Sequence, residues 1–311
     1  MAFAYRMRRV NLDRIETVLA VVVIIGVLAL LGRILLGDRG LDVNYMQGIA
    51  GVFLQAAVLS VYITSLSFAI GIGIGFLVGW LRSMRTAPVG HLVRDFRIAA
   101  KEESGSAATR NILFSLTLVW SGFKHAVRRI MDGYVELMRG TPLFVQIFFV
   151  WSVLLVYFTN IPQRDFIAVL VAMTINTGGY QGEIFRGGLQ TVHSGQVEAA
   201  RALGLSRWGA MRYVVLPQAL RLITPPLTNE YIGLLKASSL AFYFGVRELT
   251  YYTKQEAFSG RNFEAFVLAS VLYLAITFTL AKIVQRVETR YRIPGLGIQA
   301  ALTRGVRRTR M

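Results

Sequence analysis

Residues 198–217 read EAARALGLSRWGAMRYVVLP. They lie between two apolar segments and are not apolar enough to cross a bilayer themselves. From Glu198 to Leu203 the chain favours helix, because Ala, Arg and Leu carry little helical cost. Gly204 can adopt the left-handed conformation that ends such a helix. Ser206 is suited to cap a second helix through its side-chain oxygen. Pro217 has no backbone N–H and is expected to mark the next boundary. The reading is two short helices joined by a glycine elbow at a membrane surface, a shape that another protein can grip.

The spacing is a pattern in its own right. Glu198, Ala199 and Ala200 are followed after three residues by Gly204, then after nine by Val214, with Leu216 and Pro217 closing the run. This resembles the EAA loop of ABC-importer permeases, with Val214 in place of the usual Ile. The resemblance implies that Glu198, Ala199, Ala200, Gly204, Leu205, Ser206, Arg207, Leu216 and Pro217 couple the chain to a separate ATPase. Glu198 itself reads as a brace for the elbow rather than a chemical group.

Working outward, 54% of the 311 residues are hydrophobic and the mean hydropathy is +0.51. Soluble domains rarely combine that composition with bilayer-length apolar runs, so the chain is expected to be an integral membrane protein. The absence of Cys excludes thiolate sites, and His91, His125 and His193 form no ligand pair at helical spacing. No metal site is expected. The net charge of +17 is concentrated in segments assigned to the cytoplasm. That asymmetry fits the positive-inside rule and attraction to anionic lipid better than nucleic-acid binding.

Six spans follow, at residues 18–36, 50–81, 143–159, 166–185, 218–237 and 262–282, with both termini cytoplasmic. The fold class is therefore an all-α integral membrane protein with a cytoplasmic coupling loop. Residues 1–49 hold a basic segment, the first span and a short external loop. Residues 50–292 form the core, and 293–311 a basic tail. Gly71, Gly75 and Gly79 share one face of the second span and permit close helix approach. Residues 112–123 are apolar but too short to span, and are expected to form an interfacial or packed helix running on into 124–138. Residues 241–261 are read as external, with room for a short, partly inserted helix.

Two further runs sharpen the resemblance. Residues 134–146, YVELMRGTPLFVQ, and 176–192, NTGGYQGEIFRGGLQTV, are similar to signatures of the polar amino-acid branch of these permeases. Residues 229–240, NEYIGLLKASSL, correspond to a third, with Ala237 standing where an acid is usual. Against this family, residues 86–124 look like an insertion. Asn176 and Tyr180, four residues apart, share a helix face, and Asn229 and Glu230 fall mid-span in the fifth. Polar groups at that depth either bond between helices or contact substrate, and both roles fit these four residues.

The chain has no G-x-x-x-x-G-K-[ST] run, so nucleotide phosphates must be held elsewhere. The resemblance implies ATP and Mg on two partner ATPase subunits and no cofactor on this chain. It also implies a second permease subunit, identical or paralogous, an extracytoplasmic solute-binding protein and an amino-acid substrate. A self-contained secondary transporter or channel using Glu230 is the competing reading. Inverted repeats and paired broken helices would favour it, and neither is evident. An enzyme ranks last, because no nucleophile, base or metal cluster is visible.

Overall fold

A computed structural model describes residues 41–84, 107–192, 194–258 and 262–291, with isolated positions at 26 and between 90 and 96. The expected first span, most of the insertion ahead of 107 and the basic tail lie outside the described residues. Every element among the described residues is helical. In order they are α1 (Val43–Ser83), α2 (Ala107–Gly140), α3 (Leu143–Tyr157), α4 (Arg164–Thr191), α5 (Ser194–Ala202) and α6 (Arg207–Ala210). A π-helical segment (Met211–Val215) leads into α7 (Leu216–Ala237). A 3-10 helix (Ser238–Phe244), α8 (Leu249–Phe258) and α9 (Asn262–Tyr291) complete the order.

α1 starts earlier than expected. Asp42 accepts a hydrogen bond from the Tyr45 N–H at 2.9 Å and caps a helix that starts seven residues ahead of position 50, inside the segment read as an external loop. Its 41 residues extend about 60 Å at 1.5 Å per residue, twice the hydrocarbon thickness. α1 and the Phe263–Ile283 part of α9 are each long and apolar enough to cross a membrane. Phe114–Gly140 and Leu143–Tyr157 meet that test together, as a pair bent by 106°. The bend follows from the sequence: Pro142 takes extended backbone (φ −62°, ψ 136°) and restarts the helix as the N-cap of α3.

The core is the pairing of α1 with α4, and glycine makes it close. A Cβ on Gly71 would meet Thr177 Cγ2 at 2.5 Å, and one on Gly75 would meet Gln181 Cβ at 2.5 Å. One on Gly79 would meet Phe185 Cβ at 2.7 Å. The stripe read from the sequence is therefore the contact itself, backbone against side-chain root. Ile63, Ile147, Val169, Met173 and Leu234 fill the space between α1, α3, α4 and α7.

The opposite end is held by a carboxylate with no exposed surface. Glu248 accepts from Ser60 Oγ on α1 (3.2 Å), from Tyr273 O–H on α9 (3.2 Å) and from the Tyr251 N–H of α8 (3.0 Å). One side chain thus ties three helices while capping the start of α8, which satisfies a buried acid as its desolvation requires.

Pro217 marks the expected boundary, at the start of α7, yet helical backbone continues across it. Lacking an N–H, it gives Tyr213 no hydrogen bond, and the Leu216 N–H reaches back five residues to the Met211 carbonyl instead. This is the π geometry. Helical backbone therefore runs from Arg207 through Ala237, with Pro217 in the first turn of α7 and Pro225 and Pro226 within it.

Candidate translocation and coupling sites

A cavity of about 480 Å³ opens where the α2–α3 corner meets α4 and α7. Arg139, Thr141, Asn176, Tyr180 and Glu230 supply its polar lining, and Gly233 and Ala237 leave it room. The sequence-predicted residues Asn176, Tyr180 and Glu230 thus come together. Asn229 does not: it is exposed, one residue off the face that carries Glu230, and it is not part of the lining. On a helix adjacent residues diverge by about 100°, so a neighbouring pair cannot both face one cavity.

Each polar wall residue is held by a second one. Asn176 Nδ2 donates to Gln146 Oε1 at 3.0 Å and to the Met138 carbonyl at 3.2 Å. Gln146 Nε2 in turn donates to Thr141 Oγ1 at 2.7 Å. The amide of Asn176 therefore pins α4 to the α2–α3 corner, so the packing role considered for it is real. Its Oδ1 takes no hydrogen bond from the described residues and stays available. On the other wall Thr177 Oγ1 donates to Glu230 Oε1 at 3.0 Å, and Gln181 Nε2 donates to Thr177 Oγ1 at 3.2 Å. Among the described residues Glu230 has no cationic partner within 4 Å.

Arg139 was not among the residues singled out for the path. Its guanidinium lies over the Tyr180 ring, 5.7 Å from the centroid, at the same cavity. The signal that could have found it is the Arg-Gly-Thr-Pro run. A corner of Gly140, Thr141 and Pro142 turns the chain at that point and carries the preceding side chain to the cavity.

Below the cavity the ends of α1, α2 and α4 are joined by ions. Arg82 donates to Asp132 at 2.6 Å and to Glu183 at 2.5 Å, and Glu183 also pairs with Arg186. Side chains here are 11 to 28% exposed, so the network is less screened than a surface pair.

α4 then leads directly into the elbow. Gly204 has φ +89°, its N–H bonds the Arg201 carbonyl at 3.0 Å and the Leu205 N–H bonds the Ala200 carbonyl at 3.1 Å. These two bonds with a left-handed glycine form a Schellman motif. Ser206 Oγ accepts from the Gly209 N–H at 3.0 Å and caps α6. Ala200, Ala210 and Val215 are buried and anchor the elbow, while Leu203 and Trp208 stand 86% and 67% exposed. Glu198 does not brace it: the carboxylate is exposed and bonds to no described residue.

Comparison with known proteins places this architecture. Residues 112–293 match the family model described as the binding-protein-dependent transport system inner membrane component. That is more than half of the chain, and the chain belongs to this family. It is a translocation subunit, and the ATPase of such systems is a separate chain. The glutamine transport system permease protein GlnP of Escherichia coli K12 is 43% identical over 162 residues, covering 51% of this chain and 74% of that one. The nopaline permease NocM of Agrobacterium fabrum is 36% identical over 198 residues, covering 57% and 80%. A solved amino acid ABC transporter with histidines superposes with a TM-score of 0.62 at 28% identity, over 80% of this chain and 98% of that one.

Proposed function

We propose that this chain forms the membrane path of an ATP-driven importer for polar amino acids, with the α4–α7 cavity as the substrate site. The observation that carries the reading is the pairing of opposite charges on one cavity. A zwitterion must have both charges compensated to leave water. Glu230 supplies a carboxylate for the ammonium, and Arg139 a guanidinium fork for the carboxylate. Asn176 Oδ1 adds a neutral acceptor beside them. The relatives' glutamine and nopaline names, and the histidine-containing structural neighbour, support the same substrate class.

Six spans complete this reading, with the elbow in the cytoplasm. Two ATPase subunits grip Glu198 to Pro217, a second permease subunit pairs with this one, and an extracytoplasmic binding protein delivers substrate. ATP and Mg sit on the ATPases. Because the chain has no Cys, single cysteines report its orientation. Those at residues 160–163 should react with an impermeant maleimide from outside, and those at 203–208 only from inside. External labelling of the elbow overturns the orientation.

The test of the site is uptake by the intact complex in ATP-loaded vesicles. Arg139→Gln should raise the KM about tenfold or more while leaving the complex assembled, since a charge-assisted hydrogen bond contributes roughly 1.5–3 kcal/mol. Asn176→Ala should reduce uptake severalfold. Wild-type KM in Arg139→Gln, with wild-type uptake in Asn176→Ala, moves the path elsewhere.

A further inference from the structure

α2 is inverted relative to a helix on a soluble surface. Such a helix turns its apolar stripe inward. In the first half of α2, Ile112, Leu116, Val119, Trp120 and Phe123 are 57–71% exposed, and four of them follow the i, i+4, i+7, i+11 spacing of a single face. Ser121, on the far side, is buried. The stripe runs on through Ile130, 64% exposed, and cations flank it on either side. Lys124 Nζ sits 5.2 Å from the Trp120 ring centroid, and Arg129 is exposed one turn on. The helix also lies across α3, at 106° to it, so if α3 crosses the bilayer α2 runs along its surface.

We infer that residues 112–129 form an interfacial helix that seats its apolar stripe in the membrane and holds anionic phospholipid headgroups with Lys124 and Arg129. The inference gives a role to the part of the insertion that falls within α2. It rests on the membrane placement of α3. An apolar face with a basic rim is the complement of a negatively charged leaflet, where each nearby cation adds to binding. A soluble protein partner has no need of a stripe this apolar beside two cations, and a second copy would set like charges against each other.

The test uses the full complex with its ATPase, reconstituted in nanodiscs of pure phosphatidylcholine or with about a third phosphatidylglycerol. Single spin-labelled cysteines replace Val119 and Phe123, and a control label replaces Val156 on α3. With phosphatidylglycerol, labels at 119 and 123 should favour oxygen over a water-soluble nickel chelate, at a depth of roughly 5–10 Å. Lys124→Gln and Arg129→Gln should each lower the ratio of lipid-seated to aqueous label about fivefold. Aqueous labels at 119 and 123 with a lipid-facing 156 overturn the proposal. So does exclusion of both relaxants, which would mark protein cover by another copy. Equal seating in both lipids overturns the headgroup part, and an aqueous 156 overturns the placement of α3 beneath it.

Discussion

Glu230→Gln is expected to abolish amino-acid uptake, by roughly two orders of magnitude or more, while the complex assembles normally. The substitution is close to isosteric. A glutamine Oε1 can still accept the Thr177 O–H that Glu230 accepts at 3.0 Å, so the chain from Gln181 through Thr177 to α7 survives. What disappears is the negative charge. Removing one partner of a buried charge pair costs about 3–5 kcal/mol because the other is left uncompensated, and each 1.4 kcal/mol is about tenfold. In the free protein no cation lies within ion-pair distance of Glu230 among the described residues, so folding loses nothing comparable. Uptake and a pull-down of the ATPase measure the two sides. Retained uptake would return Glu230 to a packing role.

Gly204→Val is expected to leave membrane insertion intact and to remove most ATPase association. A Cβ at position 204 meets nothing within 4 Å, so steric collision with neighbours plays no part. The penalty is confined to backbone: φ +89° is strained for any residue with a side chain and worst for a β-branched one. Strain of about 1–3 kcal/mol opposes the Schellman bonds at Arg201 and Ala200, and releases α6 from its fixed angle to α5. Co-purification of the ATPase should fall about tenfold or more. Gly204→Asn, which tolerates the left-handed region, should lose much less. Normal association of the valine variant would remove the elbow from the coupling surface.

How far the sequence carried the reading depends on which physics each residue obeys. Gly204 and Ser206 act through local backbone rules, and both appear in the structure as read. Gly71, Gly75 and Gly79 follow from helix periodicity plus size, and their contact with α4 was legible too. Pro217 does mark a boundary, at the start of α7, but a missing N–H also permits a π turn, so the helical backbone continues across it. Asn229 was grouped with Glu230 by depth in the span, whereas azimuth around the helix decides which one faces the cavity. Arg139 and Glu248 were illegible for a shared reason. Each owes its position to a partner more than twenty residues away in sequence, Tyr180 for the first and Ser60 and Tyr273 for the second.

The continuous backbone from Arg207 to Ala237 gives the molecule a drive shaft. Trp208, exposed at the elbow, and Glu230, at the cavity, are carried by the same rod, about 33 Å apart along its axis at 1.5 Å per residue. No loop intervenes to absorb displacement between them. Its one irregular stretch before α7 is Met211–Val215, where the wider turn leaves slack for torsion. If the ATPases press on Trp208, as proposed, displacement along this backbone reaches the turn that carries Glu230 without crossing a loop.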